Sequence, residues 1–410
     1  MKDRHNYVKT YEEAAAVGIN AGMDQEGGGN AAISQLHKAV NDSMTTVAAV
    51  EQSFRRVMRA RIRLGMFDPP TTVAYNNIFF NATELAGNKA HRAVNTRAAR
   101  ESITLYKNDG GTLPLDAEKA VKTIAVVGFQ GANSGILSGN YAASANAGNW
   151  GLTIAQAMDG KLNVPGGTQQ VDGCSNAKCP DANKTGAFDA ARKAAASSDA
   201  VVVLLGLAFD HYCDDPPGPE PSDNDYCEQE GRDRSAIELP AGQKALLLAV
   251  RGQLDRDAEA NAIANLNVAK TPLVVVLLHG GAIALDAETM AAADAVVDAW
   301  YPAVEGAKAV ADAVFGAYSP AGRTPVTWYK STSDLPPLGH MSPYPNASDP
   351  ATYPGITYRY FTKVSDESVC VTKQRHRLSL LCCSFAEPCI AFVLSGSYLR
   401  LPLSLPYPTL

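Results

Sequence analysis

The stretch Ala200-Val-Val-Val-Leu-Leu-Gly (200–206) is apolar at every position up to its closing glycine. A short, β-branched run of this kind reads as a strand covered on both faces, because a strand with one wet face would alternate. Similar runs stand at Thr123-Ile-Ala-Val-Val-Gly (123–128) and Pro272-Leu-Val-Val-Val-Leu-Leu (272–278). A weaker one is Ala295-Val-Val-Asp-Ala-Trp-Tyr (295–301). Helical stretches near 185–198, 241–265 and 304–316 fall between and after them. Strands alternating with helices indicate a parallel sheet. Residues 101–330 are therefore expected to form an α/β sandwich around a mostly parallel sheet.

Upstream, residues 11–23 (YEEAAAVGINAGM) predict a helix running into a short strand. The loop Asp24-Gln-Glu-Gly-Gly-Gly follows, and its glycines are expected to let the backbone pass close to a neighbour. Residues 45–64 predict an amphipathic helix with Val47, Val50, Phe54 and Val57 on one face. Arg55, Arg56, Arg59 and Arg63 occupy other faces and read as a solvated surface rather than a nucleic-acid contact. Phe67-Asp-Pro-Pro closes a unit spanning 1–68, and 69–100 reads as a linker with little periodicity. Residues 331–365, rich in Pro, Tyr and Ser, read as an extended surface segment. Residues 366–410 do not continue the pattern. The apolar part at 378–395 is broken by Glu387 and Pro388, and reads as a disordered tail rather than a membrane anchor.

The chain has 410 residues, 19% of them charged, and a net charge of −6. That balance excludes the cationic surplus that replaces phosphate counterions in non-specific nucleic-acid binding. The first 365 residues hold no apolar run of transmembrane length. No apolar segment follows Met1-Lys-Asp-Arg-His, so no signal peptide is read. Four cysteines lie in the middle (Cys174, Cys179, Cys213, Cys227) and four in the last 45 residues. The central four lack the tight C-x2-C knuckles of a zinc site, which leaves two disulfides or free thiols as the leading readings. Asn41, Asn81, Asn183 and Asn346 each begin a glycosylation sequon.

Two segments bear on chemistry. Gly128-Phe-Gln-Gly-Ala-Asn-Ser-Gly follows a strand, as phosphate-binding loops do, but its spacing is not that of a dinucleotide site. It reads as a tight strand exit. The other is Asp225-Tyr-Cys-Glu-Gln-Glu-Gly-Arg-Asp-Arg (225–234), in the long loop after the 200–206 strand. Open α/β sheets place their ligands at that end. Glu228 and Glu230 stand two apart, with Asp223, Asp225 and Asp233 nearby. Crowded carboxylates raise one another's proton affinity, as a general acid requires. Arg232 and Arg234 act the other way and suit hydroxyl-rich ligands.

Several segments resemble family-three glycoside hydrolases, in particular their β-xylosidase and arabinofuranosidase branch. They include Glu101-Ser-Ile-Thr-Leu-Tyr-Lys-Asn-Asp-Gly-Gly-Thr-Leu-Pro-Leu, Gly173-Cys-Ser-Asn-Ala-Lys-Cys and Glu230-Gly-Arg-Asp-Arg-Ser-Ala-Ile-Glu-Leu-Pro. Ala311-Asp-Ala-Val-Phe-Gly-Ala-Tyr-Ser-Pro-Ala-Gly-Arg-Thr-Pro and Tyr353-Pro-Gly-Ile-Thr-Tyr-Arg-Tyr-Phe continue it. Ile19-Asn-Ala-Gly-Met-Asp-Gln and Arg59-Ala-Arg-Ile-Arg-Leu-Gly-Met-Phe-Asp-Pro-Pro resemble the end of the family's (β/α)8 barrel. The likeness runs over about 10–362 in family order.

The resemblance implies a retaining glycosidase in which a barrel Asp attacks the sugar and a sandwich Glu donates and later accepts the proton. It assigns the acid/base role to Glu230, with Glu228 as the alternative, and puts Asp24, at the barrel's last strand, either beside the sugar or in a structural turn; Arg232 is a candidate clamp for the sugar by its own chemistry. The substrate implied is terminal β-linked xylose, arabinose or glucose of plant cell-wall oligosaccharides. No metal or organic cofactor is implied, because two carboxylates suffice. The parent enzyme is expected to be extracellular. The nucleophile's Ser-Asp motif has no counterpart in residues 1–10, and 1–68 is far short of a barrel. The chain is thus expected to be an incomplete copy, carrying only the C-terminal remnant of the barrel and lacking the nucleophile. A non-catalytic sugar-binding or inert sandwich module is the alternative.

Overall fold

The computed structural model describes residues 2, 7–27, 29–77, 88–142, 151–209, 213, 225–230, 234–264, 266, 268–326, 328–335, 342, 344–346 and 348, and the backbone of 369–370. They divide into two compact units, Met1–Gly87 and Asn88–Leu410.

In the first unit, α1 (Tyr11–Asn20) starts at a capping box between Thr10 and Glu13 and buries Ala14, Ala15, Ala16 and Ile19. α2 (Leu36–Asn41) and α3 (Val47–Arg63) follow. The strand expected at the end of 11–23 does not form. Gly22 takes a φ of +94°, and the Met23 amide donates back to the Gly18 carbonyl at 2.9 Å. The Met23 carbonyl in turn accepts the Ser53 hydroxyl at 2.9 Å. The backbone groups a strand would offer are thus already spent. α3 also packs on a face shifted from the one its pattern suggests, with Val50 and Val57 half-buried. Ser53 is buried, while Val47 and Phe54 are 60% and 61% exposed. Among the described residues, no atom lies within 4 Å of where a side chain would begin at Gly27 or Gly29, so no close approach is seen at either. Gly28 lies outside the described residues.

The second unit is built on a six-stranded sheet of β1 (Thr104–Asn108), β2 (Ile124–Val127), β3 (Thr168–Val171), β4 (Ala200–Gly206), β5 (Leu273–Leu278) and β6 (Ala295–Asp298). Their order across the sheet is β1-β6-β5-β4-β2-β3. All neighbours are parallel except β1, which runs antiparallel to β6 at one edge. The sheet separates two apolar layers. Val202, Leu204, Val274 and Val276 face one, with Ile154 and Met158 of α5 (Ile154–Asp159) and Val310 and Val314 of α9 (Gly306–Val314). Val201, Val203, Leu205, Val275 and Leu277 face the other, with Leu246, Leu247 and Val250 of α7 (Ala241–Ile263). α6 (Asp189–Ala196) and α8 (Ala287–Ala292) complete that layer. Each fully buried aliphatic side chain contributes about 2 kcal/mol, so alternate residues of one strand stabilise both layers.

The interval 69–100 contains α4 (Lys89–Ser102), which opens on the Asn88 side chain accepting from the His91 amide. α4 is secured mainly by polar contacts. Arg92 pairs with Glu305 at 2.5 Å, and Arg100 reaches the buried Asp312 of α9 at 2.5 Å. Lys161 and Lys308 close on the same carboxylate. Burial would raise the Asp312 carboxyl, but the hydrogen bonds from Lys161, Lys308 and Arg100 outweigh it and bring it down to about 2. Beyond the sandwich, β7 (Trp328–Tyr329) pairs antiparallel with β8 (Val369–Cys370). The remainder of 366–410 lies outside the described residues. Among the described residues, no helix is long and apolar enough to cross a membrane.

The candidate active site

Because β2, β4, β5 and β6 are parallel, their carboxyl ends and the loops that follow lie at one edge of the sheet. The chain winds outward from β2 to β3 on one side and to β4 on the other. A crevice opens at the carboxyl ends where winding reverses in this way. Here it is a cleft of about 660 Å³, within the ordinary range for small-molecule sites. Residues 138–141 line it after β2, 227–230 and Arg234 after β4, Gly280 and Gly281 after β5, and Tyr301 after β6.

Local backbone geometry fixes where each loop leaves its strand. Gly206 ends β4 with a φ of +147°, and a Cβ there would stand 1.9 Å from the Leu278 carbonyl oxygen. Gly128 ends β2 with a φ of +134°, with a Cβ position 2.5 Å from the Leu204 carbonyl oxygen. Only glycine fits either place. The glycine-rich segment after β2 is therefore a tight strand exit, and its Phe129, Gln130 and Gly131 are buried. The loop after β4 returns to its own strand. Ala208 donates to the Tyr226 carbonyl and accepts from the Glu228 amide at 2.7 Å. The four central cysteines form two disulfides, Cys174–Cys179 and Cys213–Cys227, and the second anchors the residue before Glu228.

Glu228 is held on every side. Its Oε2 accepts the Gly280 amide at 2.5 Å and the Tyr301 hydroxyl at 3.1 Å, while Oε1 accepts the Gly281 amide at 2.5 Å. The Arg234 guanidinium lies 3.6 Å from Oε1 and donates to the Ala282 carbonyl at 2.8 Å. Burial, and then the neighbouring Glu228 charge, push the Tyr301 hydroxyl up, so it remains a donor at any ordinary pH. Burial pushes the Arg234 guanidinium down, opposed by Glu228 and Asp225.

Glu230, two residues on, is exposed and lines the same cleft. Its backbone amide donates to Asn140 Oδ1 at 3.2 Å, which ties the β4 loop to the β2 loop. Asp225 serves the loop itself. It accepts from the amides of Ser235 and Ala236 at 2.5 and 3.0 Å and from the Ser235 hydroxyl. Asp223, Arg232 and Asp233 lie outside the described residues. Asp24 belongs to the first unit, where an Arg56 hydrogen bond at 2.7 Å holds its carboxyl below the usual range.

Sequence reasoning thus located both cleft carboxylates but missed the Gly280-Gly281 amides, Tyr301 and Asn140. The signal was present: His279-Gly-Gly and Trp300-Tyr directly follow two of the apolar strands, at the end where ligands bind.

Residues 103–362 match the glycosyl hydrolase family 3 C-terminal domain. The β-xylosidase/α-L-arabinofuranosidase 2 of Medicago sativa subsp. varia is 32% identical over 368 residues, covering 88% of this chain and 41% of that protein. The β-D-xylosidase 3 of Arabidopsis thaliana is 30% identical over 368 residues, covering 88% and 40%. Among solved structures, the GH3 exo-β-xylosidase XlnD, in complex with a xylobiose aziridine activity-based probe, superposes with a TM-score of 0.61 at 25% identity. That match covers 88% of this chain and 40% of the other. The chain spans about two fifths of the length of the curated relatives it matches.

Proposed function

The chain belongs to glycosyl hydrolase family 3, and from that premise we propose that it carries the acid/base half of a retaining β-xylosidase-like site. The substrate in this reading is terminal β-linked xylose, or the related arabinose or glucose, of plant cell-wall oligosaccharides. The observation that carries the reading is the division of labour between the two cleft carboxylates. Glu228 spends both oxygens on Gly280, Gly281 and Tyr301, whereas Glu230 is exposed in the same cleft. A group that must give a proton to a leaving oxygen and take one back from water needs that freedom. Glu230 is accordingly the acid/base residue, Glu228 a wall of the site, and Arg232 and Asp24 are candidate sugar contacts.

Retaining hydrolysis needs a second carboxylate on the other side of the sugar, about 5 Å away. Among the described residues, the cleft's two lining carboxylates come from one loop. In the proposed reading the nucleophile is a barrel carboxylate outside this lining. The same observation favours a second reading, a sandwich module that binds sugar without turning it over. The two disulfides support an oxidising compartment, and we infer an extracellular parent enzyme.

The test is hydrolysis of an aryl β-xyloside by the purified chain and by Glu230→Gln and Glu228→Gln variants, with thermal stabilisation by xylose measured in parallel. Turnover lost in Glu230→Gln supports the acid/base assignment. Stabilisation by xylose without turnover in any form supports the binding module. Neither turnover nor stabilisation would overturn the sugar reading.

A further inference from the structure

His279 stands directly behind the two amides that hold Glu228. Its ring is fully buried: Nδ1 lies 2.5 Å from the Gly281 carbonyl oxygen, and Nε2 lies 3.2 Å from Asp298 Oδ1, within ion-pair reach but not aligned as a hydrogen bond. A neutral imidazole carries a single N–H and no charge, whereas the imidazolium both donates to the Gly281 carbonyl and pairs with the Asp298 carboxylate. Asp298, equally buried, also accepts the Tyr106 hydroxyl on Oδ2 at 2.6 Å and the Trp300 amide on Oδ1 at 2.9 Å. Trp300 and Trp328 close around the ring, with centroids 5.0 and 5.6 Å away. The titratable groups near His279 are Asp298 at the end of β6, Tyr106 on β1 beyond it, and Glu228 on the β4 loop, with Arg234 facing Glu228. Burial alone would push the imidazole down; the charge of Asp298 beside it, above all, holds the ring above its ordinary value.

We propose that His279 is a positioning residue for Glu228: anchored by Asp298, its ring grips the Gly281 carbonyl and thereby turns the amides of Gly280 and Gly281 onto the cleft carboxylate. The contact closes a short ring that runs from the His279 side chain along the main chain through Gly280 to the Gly281 carbonyl. Both amides lie on that ring, where planar peptides leave only the φ and ψ rotations, and its closure limits those. Any residue at 279 leaves the two amides in the chain, but only a donor at the position of Nδ1 fixes their direction. The inference rests on the proposed reading of the cleft, since a fixed Glu228 is what leaves Glu230 as the carboxylate free to move a proton.

The test uses the whole chain labelled with 15N-glycine and 15N-histidine, in the absence of sugar. A failure of the sugar reading therefore leaves it intact. Glu228→Gln identifies the two amides, because their protons should leave the downfield position that donation to a carboxylate produces. As pH rises in the unsubstituted chain, the Gly280 and Gly281 signals should move with the same midpoint as the His279 ring nitrogens. His279→Phe should displace both amides as Glu228→Gln does. His279→Gln, whose side-chain amide can still donate to the Gly281 carbonyl, should keep them closer to their original place. Glycine signals that ignore the His279 transition, or that stay in place in a folded His279→Phe chain, would overturn the proposal. If His279→Phe does not fold, the titration of the unsubstituted chain decides alone.

Discussion

Tyr301, just beyond β6, donates its hydroxyl at 3.1 Å to Glu228, which stands in the loop after β4. The contact joins two loops 73 residues apart in sequence, and both partners are largely shielded from water. Hydrogen bonds to charged groups are worth about 1.5–3 kcal/mol. Tyr301→Phe keeps the ring, including its edge contact with Phe209 at 5.7 Å between centroids, and removes the donor alone. The expected loss is about 1.5 kcal/mol in urea denaturation with an unchanged slope. A loss near zero would show that Gly280 and Gly281 hold Glu228 without help.

The two disulfides should differ in weight. Cys213 and Cys227 are 14 residues apart and Cys174 and Cys179 only 5. In the chain-entropy account, closing the longer loop stabilises by about 3 kcal/mol and the shorter by about 2. The paired variant Cys213→Ala/Cys227→Ala should therefore lower Tm more than Cys174→Ala/Cys179→Ala. It should also release the backbone beside Glu228, visible as faster amide exchange at 225–230. Equal Tm losses would place the contribution in the folded state instead of the unfolded one.

Asp312 predicts a specific acid sensitivity. Its folded carboxyl lies near 2, below the ordinary 3.8, because Lys161, Lys308 and Arg100 converge on it against the cost of burial. A depressed carboxylate contributes stability that is complete above its unfolded value and is lost as pH falls through its folded one. About 2 kcal/mol should disappear between pH 4 and pH 2. In Asp312→Asn that step should be missing, and the variant should already be destabilised at pH 7, where three cations would face a neutral amide. Urea denaturation at pH 7, 4 and 2 reads both effects.

What the sequence made legible follows from how each element earns its stability. The four central strands are buried on both faces, so their apolar runs are unbroken and readable. β1 and β3 lie at the sheet edges, where Lys107 and Gln169 are tolerated, and their patterns are too mixed to stand out. α4 escaped notice because Arg92, Asn95 and Arg100 secure it through partners more than 200 residues away. The cleft shows the same division. Glu228 and Glu230 were visible as a cluster of chemical groups, but backbone amides have no sequence signature. His279 is a single histidine until the fold sets it between Gly281 and Asp298.

Two glycine-to-alanine changes separate the fold from the site. At Gly206 the new methyl would stand 1.9 Å from the Leu278 carbonyl oxygen, on backbone whose φ of +147° already excludes other residues. Neither strand can give way without breaking the β4–β5 pairing, so Gly206→Ala should cost more than about 3 kcal/mol or prevent folding. At Gly281 the methyl would instead meet the tips of two side chains, Glu228 Oε1 at 2.7 Å and Arg234 Nη2 at 2.9 Å. Those tips can swing aside without moving the backbone, so Gly281→Ala should cost only the hydrogen bonds that Glu228 loses, about 2 kcal/mol and less than Gly206→Ala. The swing, however, removes the Glu228 carboxylate from both amides and from Tyr301, and opens the cleft wall beside Glu230, the proposed acid/base residue. Thermal denaturation should therefore place Gly281→Ala below the unsubstituted chain but well above Gly206→Ala, while its xylose-dependent stabilisation and any aryl β-xyloside turnover fall at least tenfold. A Gly281→Ala chain that keeps both would mean that Glu228 does not shape the sugar site.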